Sequence, residues 1–206
     1  MNIFQYPSQP EWAALQQRAL QQQAQDVEQR VQQIFDDVRR RGDAALLARH
    51  FVQRHAQALG RDVPIMLSMT LTDLSGRNLS GHTVEAFWHA VRHARPITIG
   101  LNCSFGAEQL RPHVRTLSDV ADTLIMVYPN AGLPNELGAY DEAPATTAGL
   151  VREWAEQGQV NVLGGCCGST PAHIKAIADK VAGLEPRRVC RPEVRTRLAG
   201  LEPFTM

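Results

Sequence analysis

Charge of one sign is the first thing this chain lacks: Lys plus Arg and Asp plus Glu both count 21, and the pI is near 7.1. No basic stripe offers itself to nucleic acid and no cationic face to a membrane surface, so neither is expected as a partner. Small polar or zwitterionic substrates fit better. No apolar run approaches the length of a bilayer span, and the opening "MNIFQYPSQPEWAAL" has no basic segment with an apolar run behind it. The expected location is the cytoplasm. The seven histidines show no metal-type spacing, and no Gly-rich dinucleotide turn is present. Cysteine is scarce, limited to Cys103, Cys166, Cys167 and Cys190. In a reducing compartment four cysteines make no disulfide framework, and neighbours such as Cys166 and Cys167 pair only with strained geometry. Metal binding or burial is left to them.

What the chain does have is 44% hydrophobic residues over 206 positions, enough for a core in one domain or one domain with an appendage. From Pro64 onward a strand-then-helix rhythm repeats four times. "PIMLSMTL" (64–71) precedes a helix with Val84, Phe87, Trp88 and Val91 on one face. "PITIGLNC" (96–103) precedes a helix carrying Leu110, Val114, Leu117 and Val120. "TLIMVY" (123–128) leads through the loop "PNAGLPNELGAYDEAP" to a helix over about Thr146 to Gln157. "VNVLGG" (160–165) comes last, before a helix capped by Ser169 or Thr170, with Pro171 in its first turn and Ile174, Ile177 and Val181 on its buried face. Unpatterned strands between amphipathic helices imply an α/β fold with a parallel sheet covered by helices.

The first sixty residues read differently. A glutamine-rich stretch leads to Val27, Val31, Ile34 and Val38, one stripe of a helix that Gly42 ends, and Asp43 can cap a second helix through about Gln57. Trp12 and this stripe read as core or interface, with no chemistry attached.

In parallel α/β folds ligands collect at the carboxyl ends of strands, where loops and helix N-termini converge. Cys103 closes the second strand, and Cys166 and Cys167 close the fourth. If the intervening strand lies between them in a curved sheet, three sulfurs meet at one mouth, and three thiolates with an open position is a catalytic zinc pattern. Gly164, Gly165 and Gly168 would let both neighbouring cysteines face the same way, which an alternating strand forbids. Packed, idle thiols fit the same spacing, so pattern alone leaves both readings open. Cys190, in an Arg-rich tail, reads as a bystander. Asn102, Asn130 and Asn135 can contact the amino and carboxylate groups of a substrate or simply shape turns. Asp73, with Thr72 and Ser75 nearby, can bind an amine or cap a turn.

The motifs also carry a resemblance. Residues from about 58 to 206 resemble the second half of the homocysteine-binding domain of cobalamin-dependent methionine synthase. The stretches concerned are "DVPIMLSMTLTDLSGRNLSGHTVEAFWHAVRHA", "ITIGLNCSFGAEQLRP", "YPNAGLPNELGAYDEAP", "NVLGGCCGSTPAHIKAIA" and "LAGLEPFTM". The GLNC and GGCCG pieces are shared with homocysteine S-methyltransferases in general, whereas PNAGLPN with its YDE sequel points to the synthase branch. Two details depart from it: Tyr128 stands where histidine usually precedes the loop, and "CSF" replaces the usual "CAL".

The resemblance implies a (βα)8 barrel of which this chain supplies four units, a half TIM barrel behind an N-terminal helical arm. It implies that Cys103, Cys166 and Cys167 hold zinc, that homocysteine binds there as thiolate, and that methylcobalamin on a separate domain or protein supplies the methyl group; of the polar candidates read from the pattern, Asn102, Asn130 and Asp73 are the expected substrate contacts. Residues 11–48, notably "IFDDVRRRGDAAL", are similar to the N-terminal arm of histidinol dehydrogenase and include none of that enzyme's catalytic positions. The expected organisation is thus an arm over 1–58 and a partial homocysteine-binding domain over 59–206. The expected function is a truncated methyltransferase module, or alternatively a zinc-binding or structural half-barrel without turnover. Open sheet edges predict self-association, as a homodimer if two halves close one barrel.

Overall fold

Each of the four apolar runs becomes a strand of one sheet. The computed structural model describes residues 63–206, with Arg54 and Gly60 besides, and residues 63–206 belong to a unit spanning Ala56–Met206. The stripe of Val27, Val31, Ile34 and Val38, the Gly42–Asp43 break and Trp12 lie outside the described residues.

Strands β1 (Met66–Met69), β2 (Thr98–Gly106), β3 (Leu124–Asn130) and β4 (Val162–Leu163) pair in parallel in the order β1-β2-β3-β4. Helices α1 (Val84–Val91), α2 (Ala107–Val120), α3 (Pro144–Glu156) and α4 (Pro171–Val181) follow them one by one. Spatial order equals chain order, and parallel crossovers are right-handed, so successive helices fall on one face of a singly wound sheet. The α/β reading with a parallel sheet is therefore borne out, as are all four strands and helices. β1 and β4 are markedly shorter than expected.

The central strands have no solvent face. In β2, residues 98–101 are all buried, with Ile99 and Leu101 at 0% and 1% exposure. Gly100 is required there because a Cβ would stand 2.0 Å from the Met126 carbonyl oxygen of β3. The helices add Trp88 from α1, Leu110, Val114 and Leu117 from α2, and Val151 and Trp154 from α3, all at most 2% exposed. Each such side chain contributes about 1.5–3 kcal/mol by leaving water. Pro112 lies inside α2 on its exposed side, where the carbonyl of the exposed Glu108 that it leaves unpaired can be hydrated. Ile174, expected on the buried face of α4, is 45% exposed, while Ile177 is buried as expected. Ile174 sits at the rim of a groove lined also by Val160, Leu163, Ile177 and Val181. No described element covers that rim.

After α4 the chain crosses back under the sheet. Arg187, 4% exposed, donates from Nε to Ser118 Oγ, from one terminal nitrogen to the Thr123 carbonyl and from the other to the Ser118 and Ala121 carbonyls. The acceptors at 118 and 121 are at the C-terminal end of α2, where the helix dipole favours a cation. A hairpin of β5 (Arg197–Ala199) and β6 (Pro203–Thr205) then packs on α1. Arg77 ties it to the loop after β1 through an ion pair with Glu202. No described helix is long and apolar enough to cross a membrane.

Candidate metal centre

The carboxyl end of the sheet is where regular pairing stops. Between β2 and β3 the register runs to Asn102↔Tyr128 and resumes at Gly106↔Asn130, so three residues of β2 bulge out opposite one of β3. Cys103 and Ser104 occupy that bulge with φ of 62° and 63°, the left-handed region that non-glycine residues avoid. Such strain persists only where the surroundings impose it. Here Ser104 Oγ donates to the Leu71 carbonyl, fastening the bulge to the loop after β1.

The second half of the site is pinned to the end of β3. Cys166 N–H donates to the Pro129 carbonyl (2.8 Å), Cys167 N–H to Asn130 Oδ1 (3.1 Å), and Ala131 N–H to the Cys167 carbonyl (2.9 Å). The glycines act as the sequence suggested. Gly168 has φ of 76°, and a Cβ at Gly165 would stand 2.2 Å from Ser169 Oγ. The chain therefore leaves strand geometry after Leu163, and both cysteines face one way.

The three sulfurs of Cys103, Cys166 and Cys167 all lie within 4.8 Å of one another, and those of Cys103 and Cys167 are 3.6 Å apart. A tetrahedral ion bonded to sulfur at about 2.3 Å sets its ligands about 3.8 Å apart. The trio therefore fits a metal ion of thiolate preference. Its electrostatics agree with this. The Ser104 backbone N–H aimed at the sulfur holds the Cys103 thiol below its ordinary pKa against the opposing effect of burial, with hydrogen bonds from Cys167, Cys166 and Asn130 adding to it. Burial, then the neighbouring Cys103, pushes Cys166 up to about 11. Three thiolates this close repel, and a cation is what allows all of them to ionise.

Of the other residues singled out in the sequence, Asn130 is 1% exposed and its Oδ1 accepts the Cys167 N–H. Asn102 Oδ1 accepts from Ser68 Oγ (2.6 Å) and Thr70 Oγ1 (3.4 Å), one residue before the bulge. Asp73 lies in the loop after β1, where its carboxylate accepts the Ser75 N–H and its carbonyl the Gly76 N–H, a turn-shaping role. Asn135 organises the loop after β3, its Oδ1 accepting from Leu137 and Ala139 N–H. Cys190 is apart from the trio, its Sγ donating to the Ala121 carbonyl.

The family model for homocysteine S-methyltransferase matches residues 15–181. The chain belongs to the homocysteine S-methyltransferase family. For this homocysteine S-methyltransferase relative the match begins inside the 11–48 segment and ends with α4. The chain is also similar to two solved structures of the homocysteine methyltransferase MmuM from Escherichia coli. The oxidized form matches with 22% identity and a TM-score of 0.45, the metallated form with 23% and 0.42; each match covers 61% of this chain and 38% of that one. The chain thus spans well under half the length of those solved relatives.

Sequence reasoning missed two groups around the trio. His173 is buried, and its Nδ1 accepts from the Thr170 N–H at the start of α4, so Nε2 is the nitrogen that donates to the Glu142 carbonyl (2.9 Å). The "STPAH" spacing, a capping box with histidine in the usual glutamate place, was the available signal. The Tyr140 ring packs beside Gly168, directly after the cysteine pair, and no local pattern announces that contact.

Proposed function

We propose that this chain is a homocysteine-binding methyltransferase module of the methionine synthase type, built on part of a (βα)8 barrel, with zinc held by Cys103, Cys166 and Cys167. The sulfur trio at the sheet's carboxyl end carries this reading. A zinc ion bound there supplies Lewis-acid charge that lowers the pKa of a substrate thiol, so that homocysteine binds as thiolate at neutral pH. The protein's own part is to keep the grip in shape. The bulge at Cys103 aims its sulfur away from the strand, and the Ser104 N–H favours its thiolate. Asn130, paired through its backbone with Gly106 at the end of the bulge, braces the two arms by accepting the Cys167 N–H with its side chain. Asn102, Asn130 and Asp73 stand at or just beyond the carboxyl ends of their strands and are proposed to meet the substrate's amino and carboxylate groups. The methyl group would come from methylcobalamin on a separate domain or protein. The arm over residues 1–58, with its likeness to histidinol dehydrogenase, is proposed as an assembly element and not as a second active site.

A second reading has its own support. A (βα)8 barrel needs eight strands and the described sheet has four, so a metal-binding half-barrel without turnover is the alternative. Methyl transfer to homocysteine from methylcobalamin or S-methylmethionine, measured with and without chelator alongside zinc content, separates them. Chelator-sensitive product supports the methyltransferase; one bound zinc with no product from either donor supports the half-barrel.

A further inference from the structure

The bulge over residues 103–105 presents a cysteine against the alternation of the strand that carries it. A regular strand would put Cys103 on the side of Ile99 and Leu101, both at most 1% exposed. The sulfur is instead brought to 3.6 Å from that of Cys167, because Cys103 and Ser104 both turn left-handed, with φ of 62° and 63°. That region is costly for either residue type, so two in a row need a fixture. Beyond the pair, Phe105 is 8% exposed and Gly106 rejoins the ladder at Asn130. Within the pair, the Ser104 hydroxyl donates to the Leu71 carbonyl of the loop after β1. Pairing between β1 and β2 ends at Met69↔Leu101, so this side-chain bond joins the two segments where the ladder has stopped. Its acceptor is firm: Leu71 is 1% exposed, and Thr72 donates to the Arg77 carbonyl from both its N–H (2.8 Å) and its hydroxyl (3.0 Å).

We propose that Ser104 is a positioning residue: its hydroxyl, bonded to the Leu71 carbonyl, holds the left-handed turn that presents the Cys103 sulfur to a metal shared with Cys166 and Cys167. The inference rests on the metal reading above. Its physical basis is preorganisation. Without the bond, extended backbone competes with the left-handed pair, and the apparent metal affinity falls by the fraction of chains still in the competent form. Groups that orient a ligand without touching the ion typically change metal affinity 10–100-fold when removed. The other arm has its own support, since the Cys166 N–H donates to the Pro129 carbonyl and Gly168 takes its φ of 76° without strain. The effect of Ser104 therefore falls on the Cys103 ligand.

The test uses the full chain and three readouts. Zinc affinity is measured by competition with a chromophoric chelator, ligand geometry by the visible bands of the Co(II) form, and folding by urea curves of the metal-free chain. Ser104→Ala removes the donor. Ser104→Gly removes it too but accepts a φ of 63° without strain, so the bulge can form even if alanine impairs it. Under conditions where the urea curves show folded protein, Ser104→Ala is expected to raise the zinc dissociation constant about 10–100-fold and to weaken the Co(II) bands. Ser104→Gly is expected to move both the same way by a smaller factor, because glycine permits the left-handed form without holding it. Wild-type affinity and bands in both variants overturn the inference and leave the metal reading intact. A loss of zinc confined to conditions where the variants unfold also overturns it, since the bond is then purely structural. A wild-type chain that takes up neither zinc nor cobalt overturns the metal reading itself, and this inference with it.

Discussion

The sulfurs of Cys103 and Cys167 stand 3.6 Å apart although 64 positions separate them in the chain. The contact exists because β3 lies between β2 and β4, and both sulfurs reach over its end. One passes across the bulge opposite Pro129 and the other across the turn pinned to Asn130.

Removing one sulfur should empty the site. The wild-type chain is expected to hold about one zinc, and Cys166→Ala close to none after dialysis against a mild chelator, because two thiolates and water bind zinc far less tightly than three. Elemental analysis per chain decides it. Undiminished zinc in the variant would remove Cys166 from the ligand set.

Cys190 should be dispensable to the metal. Its Sγ donates to the Ala121 carbonyl at the opposite end of the sheet, so Cys190→Ser keeps its zinc and loses at most about 1 kcal/mol of stability. A zinc-free Cys190→Ser protein contradicts the placement of the tail.

Arg187 is a structural clamp, and truncating it should be costly. Arg187→Ala strands buried acceptors at Ser118, Ala121 and Thr123 and is expected to destabilise by about 2–4 kcal/mol, read as a lower urea midpoint with an unchanged slope. Arg187→Lys should recover only part of this, because an ammonium cannot reach the same spread of acceptors. A midpoint unmoved by Arg187→Ala would show that water replaces the guanidinium freely.

Mild acid should loosen the fold before the carboxylates titrate. Burial holds both His113 and His89 below the ordinary histidine pKa of 6.5, and at His89 the nearby Glu85 opposes that shift. A depressed folded-state pKa means that the unfolded chain takes up protons first. The stability is then complete above about pH 6.5 and declines as pH falls from there toward the folded-state values. The His113 ring packs on the Gly76 backbone, leaving little room for a hydration shell. Urea midpoints at pH 7.5 and 5.5 should therefore differ, and His113→Asn should reduce the difference. Equal midpoints in the wild-type chain would argue against the burial effect.

Among the described residues β1 and β4 each have one strand neighbour, and Met66, Ile97 and Leu124 are 39–49% exposed. Self-association is the expected outcome, as a dimer if β4 of one copy pairs with β1 of the other on both sides. Light scattering after size exclusion at micromolar concentration should give a mass above 22.8 kDa. A stable monomer with cooperative unfolding would show that the edges are satisfied within one chain.

Much of this architecture was legible in the residues themselves. The apolar runs beginning at Pro64, Pro96, Thr123 and Val160, each followed by a 3.6-residue pattern, determine four strand-helix units. Such periodicity is local and has one good way to bury itself. The thiols at the ends of the second and fourth runs, and the glycines around the latter, determine that any chemistry is thiol chemistry at the sheet's carboxyl end. The position of Ile174 was not legible in the same way, since a helix's stripe does not say which part of it finds a partner. Nor was the bulge over residues 103–105. Its left-handed Cys103 and Ser104 contradict the local preference of those residues and are imposed by the β3 register and the Leu71 carbonyl. Tertiary structure alone decided that three sulfurs come within bonding range of one ion. The same holds for Asn130 bridging the two arms, and for Tyr140 and His173 closing over the cysteine turn from a loop and a helix. Each of these contacts joins segments whose separation depends on how far the sheet twists and where its pairing slips. That is set by the packing of all four strands together and by no single stretch of sequence.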